Sequence, residues 1–242
     1  MLLPPPLTPP TLVGDALRER GFAVLDAAGL AALSGVGEGG FADLAPLWND
    51  LPPDAYLRDG GRYRRRRHAC LVAEGDRLTV APHRAHWQPV EYNALHGGLE
   101  RWFEPVAPQM IEATAFRRMV HALAACASEL KGAQPWYVEV HQFRIDTTDG
   151  IGRPTPEGAH RDGVDLVAVV LVDRHHIKGG ETRVFEAHGS HGIRFTLTEP
   201  WSALLLDDAR VIHESTPIQP LKAGGHRDTL VLTLRAKGFL GP

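Results

Sequence analysis

The chain has 242 residues, 43% of them hydrophobic and 23% charged, with a net charge of −3, the profile of a globular protein with one large core. The near-balanced charge argues against a dedicated nucleic-acid or membrane-surface binder. Two cysteines, Cys70 and Cys126, are too few for a disulfide framework and fit a reducing, cytoplasmic compartment.

The opening Met1-Leu2-Leu3-Pro4-Pro5-Pro6 lacks the basic and apolar regions of a signal peptide and reads as an extended lead-in. Residues 15–20 predict a short helix stopped by Gly21, a strand follows at 22–25, and a second short helix lies near 30–33. Gly35 to Gly40 form a loop. Its glycine spacing suits a dinucleotide-binding turn, but it does not sit between the strand and helix of a βαβ unit, so that reading falls. Arg62-Tyr63-Arg64-Arg65-Arg66-Arg67-His68 reads as a strand edge with solvated arginines. Alternation places Tyr63, Arg65 and Arg67 on one face and Arg62, Arg64 and Arg66 on the other, so one face can alternatively lend a guanidinium to a substrate carboxylate. His83 and His86 are metal ligands by type, but nothing nearby in sequence completes a site, and they read as surface or packing histidines. From 105 to 131 the recurrence of Ile111, Ala115, Met119, Ala122, Leu123 and Leu130 predicts a helix ended by Gly132, covering one face of a sheet.

Beyond Gly132 the pattern changes to short strands at 136–145, 160–172, 181–187, 193–197, 202–206, 211–213 and 228–235, separated by Gly, Pro and Asp turns. This predicts an antiparallel sandwich or barrel. The longest unbroken apolar run, 166–172, is far shorter than the ~20 residues of a spanning helix, so no membrane partner is expected. The expected organisation is one mainly β domain over 1–242, with 1–132 as helical or mixed cladding and 133–242 as the β core.

His160 and Asp162 are two apart, so on an extended chain an imidazole and a carboxylate project to the same side. A third nitrogen ligand from a neighbouring strand would complete a 2-His-1-carboxylate triad with open positions, the donor set of non-haem Fe(II) oxygenases. His213 is the candidate: strands 202–206 and 211–213, joined across Asp207-Asp208, are expected to form a hairpin that returns it to the pair. A lone His-x-Asp is common, and an isolated His213 reads equally as a core histidine. Arg227-Asp228-Thr229 decides between these readings. Arg227 and Thr229 point the same way, and a buried guanidinium needs an anionic partner, which a dicarboxylate cosubstrate would supply.

At these residues the sequence resembles the Fe(II)/2-oxoglutarate-dependent dioxygenases, in particular the bacterial branch that includes L-isoleucine 4-hydroxylase and other free-amino-acid hydroxylases. The resemblance lies in Ala159-His160-Arg161-Asp162-Gly163-Val164-Asp165, Gly179-Gly180-Glu181-Thr182, His213 and Gly225-His226-Arg227-Asp228-Thr229-Leu230, with 17–25 similar to the family's N-terminal helix and strand. It implies a double-stranded β-helix (a cupin-like jelly roll) flanked by helices. It also implies that His160, Asp162 and His213 bind Fe(II), that Arg227 and Thr229 hold the far carboxylate of 2-oxoglutarate, and that O₂ is the oxidant. Related halogenases lack the carboxylate ligand, so Asp162 favours hydroxylation. Gln142 and Arg144 share a strand face just before the triad and are candidate substrate contacts, and the loop 146–158 is a candidate lid. The expected substrate is a small molecule, a free L-amino acid. The alternatives are the same chemistry on a peptide or secondary metabolite, a non-catalytic metal-binding jelly roll, or zinc hydrolysis. Oligomeric state is left open.

Overall fold

The computed structural model describes residues 2–93 and 95–242. Helix α1 (Val13–Arg20) ends at Gly21 in the left-handed conformation, and β1 (Phe22–Leu25) and α2 (Ala27–Ser34) follow, with Asp26 capping α2 through the Gly29 amide. Strands β2 (Arg64–Glu74) and β3 (Arg77–Val80) form a hairpin. The single helix expected over 105–131 is two, α3 (Pro108–Glu112) and α4 (Thr114–Lys131), broken where Ala113 is extended. Nine strands complete the chain: β4 (Trp136–Asp146), β5 (Leu166–His175), β6 (Ile177–Gly179), β7 (Thr182–Glu186), β8 (Gly192–Phe195), β9 (Ala203–Asp207), β10 (Val211–Ser215), β11 (Ile218–Pro220) and β12 (His226–Arg235).

The major sheet is antiparallel with order β1-β9-β5-β12-β4-β2-β3, and two smaller sheets, β10-β7-β8 and β11-β6, complete the jelly roll. The period-2 alternation of the strands divides the core. One face of the major sheet, including Val138, Val140, Leu166, Ala168, Val170, Leu230, Leu232 and Leu234, packs on Leu17, Leu30, Phe116, Met119 and Leu123 of the helices. The other face sends Val167, Leu171, Leu204 and Leu206 against Val184, Phe195 and Val211 of the small sheets. The strands β1 to β3 belong to this sheet, so the first 132 residues supply part of the barrel wall as well as its helical covering.

The expected hairpin carrying His213 does not form. All five residues of β9 are buried, and a strand apolar on both faces belongs inside a sheet, so β9 pairs with β1 and β5. The turn after it crosses to the smaller sheet, where β10 pairs with β7. His213 reaches its position from the opposite wall.

Towards the small sheets, the inward residues of β2, β4, β12 and β5 align in rows. Arg64, Ile145, Arg227 and Arg174 form one, Arg66, Phe143, Thr229 and Leu171 the next, and His68, His141, Val231 and Val169 a third. The register between β5 and β12 slips at Asp228/Thr229, a bulge that turns Arg174 inward beside Arg227.

Candidate active site

The segment containing His160 and Asp162 is a loop rather than the start of a strand. Gly163, at φ +77°, turns the chain ahead of β5, and a Cβ there would lie 2.5 Å from the Tyr92 ring. Asp208, fully buried, accepts the backbone N–H groups of Asp162 (2.9 Å), Gly163 (2.8 Å) and Val164 (3.1 Å), which fixes the loop's shape. Reciprocal backbone hydrogen bonds of 3.0 Å between His160 and His213 fasten it to β10.

The donor atoms of His160, Asp162 and His213 lie within 4.8 Å of one another. His160 donates from Nδ1 to the Gly158 carbonyl at 3.0 Å, which leaves the lone pair on Nε2, facing the group. His160 Nε2 is 4.0 Å from Asp162 Oδ1, and His213 Nε2 is 3.9 Å from Asp162 Oδ2. These separations are too long for hydrogen bonds and fit donors that share one cation at roughly 2.1 Å from each. Burial holds the His213 imidazole well below its usual range, so it is neutral. Burial pushes the Asp162 carboxyl up to about 7, as expected of a carboxylate lacking its counter-charge. The residues therefore fit a divalent metal. Because Asp208 orients the Asp162 backbone, Asp208→Asn is expected to weaken divalent-metal affinity about 10- to 100-fold. An anaerobic metal titration checks this, and an unchanged affinity would mean the loop holds its shape without that carboxylate.

Arg227 is 3% exposed, and its Nε and Nη2 have no partner among the described residues. Thr229 lies in the next row on the same strand, and both line the cavity that the triad faces. Arg174 stands beside Arg227 with Nη1 also unpartnered, a second guanidinium that the sequence reading missed. Both arginines converge on Gly180, where a Cβ would lie 2.9 Å from Arg174 Nη1 and 3.7 Å from Arg227 Cδ. Buried cationic N–H donors left open in this way are suited to an anionic ligand.

Gln142 and Arg144 do not line the cavity. They do share a face, but it is the other one. Gln142 donates to the Leu47 carbonyl, and Arg144 is bidentate to Asp228 at 2.8 and 2.6 Å. The inward face of β4 carries Glu139, His141, Phe143 and Ile145 instead.

The cavity's remaining wall is strongly polar. On β2 it is Arg64 and Arg66 that face inward. Arg64 pairs with buried Asp54 at 2.7 Å, and the Arg66 guanidinium lies between the rings of Phe103 (3.8 Å) and Phe143 (4.4 Å). His86, expected on the surface or in packing, is buried against Glu139. Gln88 accepts from Arg101 Nη2 at 3.0 Å and donates to Asp162 Oδ1 at 3.2 Å, joining this wall to the His160–Asp162–His213 group. The alternation put Glu139 and His141 on one parity of β4 and Val138, Val140, Gln142 and Arg144 on the other, so the chain marked Glu139 and His141 as a pair without saying which face is inside. His86, Gln88 and Arg101 sit in loops and left no such sign. The loop 146–158 is tied down by the Gly152–Ile218 bridge and by Thr155 to Ser215, and it contributes Pro154, Thr155 and Glu157 to the cavity.

Residues 45–233 match a family model described as 2OG-Fe dioxygenase. Among solved structures, the chain is similar to a bsmA homologue from Methylobium petroleophilum PM1, at 51% identity over 98% of this chain and 96% of that one, with a TM-score of 0.93. It is also similar to IDO from Bacillus thuringiensis (15% identity, 98% and 100% coverage, TM-score 0.77). A third similar structure is the Fe(II)/α-ketoglutarate-dependent dioxygenase TqaL (18% identity, 96% and 89% coverage, TM-score 0.66). At such identities the last two speak to the fold alone. No curated protein matches the chain.

Proposed function

The chain belongs to the 2OG-Fe dioxygenase family, and from that premise we propose that it hydroxylates a free L-amino acid at an aliphatic carbon. It is a dioxygenase dependent on Fe(II), 2-oxoglutarate and O₂. In this reading His160 and His213 hold the metal through Nε2 and Asp162 through its carboxylate. Arg227, with Thr229 at its side and Arg174 behind, takes the far carboxylate of 2-oxoglutarate. When bound, the metal and its cosubstrate supply oxidative decarboxylation to succinate and CO₂ coupled to oxygen insertion into a substrate C–H bond. The protein's part is to hold these groups, exclude water and aim one carbon at the centre.

The observation that carries the substrate class is a cavity with two groups of anion-receiving guanidiniums. Arg227 on β12 is one, and Arg66 on β2 with Arg101 is the other, each with a buried N–H lacking a partner among the described residues. One group suits the dicarboxylate and the second suits a substrate carboxylate, while Val164, Val169 and Val231 give the same cavity an apolar lining. A non-catalytic metal module has no use for the guanidinium of Arg227.

Purified protein with Fe(II), ascorbate and 2-oxoglutarate is expected to release succinate several-fold faster when the right L-amino acid is added. Mass spectrometry should then show a product heavier by one oxygen atom. A complete panel of L-amino acids that leaves the slow uncoupled rate unchanged would sink the free-amino-acid reading while leaving the dioxygenase assignment intact.

A further inference from the structure

His68, His86, Glu139 and His141 bring their side-chain N and O atoms within 4.8 Å of one another, all four buried. The hydrogen bonds favour a hydrogen-bonded cluster over a second metal centre. Arg66 Nη2 is 2.8 Å from His141 Nδ1. A guanidinium only donates, so Nδ1 accepts and the His141 proton sits on Nε2, the atom facing Glu139 at 3.8 Å. His68 Nε2 (2.9 Å) and His86 Nδ1 (2.6 Å) both donate to Glu139 Oε2. Three imidazole N–H groups therefore surround one carboxylate oxygen, and the lone pairs that remain on His68 Nδ1 and His86 Nε2 lie on the ring edges turned away from it, so no ring presents a lone pair to a cation at the centre of the group.

The cluster instead builds a buried carboxylate held by imidazole N–H groups. Burial holds His68, His86 and His141 below their usual range, His86 at about 3, so the imidazoles are neutral. Burial alone would raise Glu139, but the interactions with His86 and His68 override it and keep the carboxyl ionised. Its second oxygen, Oε1, receives no hydrogen bond among the described residues, and Glu139 lines the cavity. On the same wall Arg66 and Arg101 each present a buried Nε without a partner.

We propose that this wall is a reader for the head group of an α-amino acid, with Glu139 Oε1 accepting the ammonium and Arg66 and Arg101 holding the carboxylate. The inference rests on the function proposed above and adds to it that both charges of the zwitterion must be free. Arg101 is one side chain away from the metal ligand Asp162, through Gln88. A head group bound there keeps the aliphatic part of the molecule on the triad's side of the cavity, beside Val164, Val169 and Val231. A peptide-linked residue lacks both free charges, and an anion without an amine gains nothing from Glu139.

The test takes the L-amino acid that best stimulates succinate release and compares it with its N-acetyl derivative and its decarboxylated amine. Affinities are measured by calorimetry on the anaerobic Fe(II)–2-oxoglutarate protein. Each analogue is expected to bind about 100-fold more weakly, the scale of losing one partner of a buried charged pair. Glu139→Gln should raise KM for the parent amino acid about 100-fold while leaving the weak affinity for the N-acetyl derivative almost unchanged. Where that variant fails to fold, the analogue series on the unaltered protein decides. An N-acetyl derivative that binds as well as its parent, or an unchanged KM in Glu139→Gln, overturns the head-group reader and leaves the amino-acid function standing. A panel in which no amino acid stimulates turnover removes both.

Discussion

His213→Ala is expected to abolish coupled and uncoupled turnover, by at least about 1,000-fold in kcat, and to leave the protein folded but unable to retain Fe(II). The backbone bridge between His160 and His213 uses main-chain atoms, so truncating the side chain removes a donor without releasing the loop from β10. What remains is one imidazole and one carboxylate, which matches no ordinary non-haem iron site. Asp162→Ala should behave similarly, with the added loss of its contact to Gln88. Metal content of the purified variants, set beside circular dichroism and succinate release, checks this. A His213→Ala protein that keeps stoichiometric iron and normal turnover would place the metal elsewhere.

The second large effect is expected at Arg227. Burial lowers this guanidinium to about 10, with Arg174 adding to the shift, so it is still charged at neutral pH, and its Nε and Nη2 have no hydrogen-bond partner among the described residues. Arg227→Ala should raise KM for 2-oxoglutarate about 100-fold while sparing Fe(II) binding, because a desolvated carboxylate loses a charge-assisted, forked partner. Arg227→Lys should recover only part of this, since an ammonium cannot reproduce the fork. A thermal consequence has the opposite sign. An unpaired buried charge destabilises the ligand-free fold, so removing it should leave the melting temperature unchanged or higher. Stabilisation by added 2-oxoglutarate, large in the parent, should largely disappear. Melting curves with and without 2-oxoglutarate read both effects at once, and an undiminished ligand-induced shift would mean the carboxylate is anchored by another group.

Several parts of this architecture were legible in the chain. The alternation of the C-terminal strands, the stop at Gly21 and the amphipathic stretch before Gly132 identified a mainly β protein with helical cover, because each is a local consequence of backbone periodicity. The pairing of Arg227 with Thr229 on one face was equally local. The convergence of His213 with His160 and Asp162 was expected for the right residues but by the wrong route, since β9 proved too apolar to lie at the edge of a hairpin.

By itself the sequence singled out His160, Asp162 and His213 as the candidate donor set and Arg227 as the candidate anion holder, because these depend on residue type and on steps of two along a strand. Only the tertiary structure decided which face of β4 looks into the barrel. Both faces carry polar residues, so alternation separates Glu139 and His141 from Gln142 and Arg144 without saying which pair is inside; the packing of Val138 and Val140 on the helices settles it. Arg174 turns inward through a bulge set by its neighbour strand, and His86, Gln88 and Arg101 arrive from loops whose positions depend on distant contacts. Local propensity carries no record of such pairings, and the wall proposed to read the substrate joins strand residues of β2 and β4 to His86 and Arg101 brought in by them.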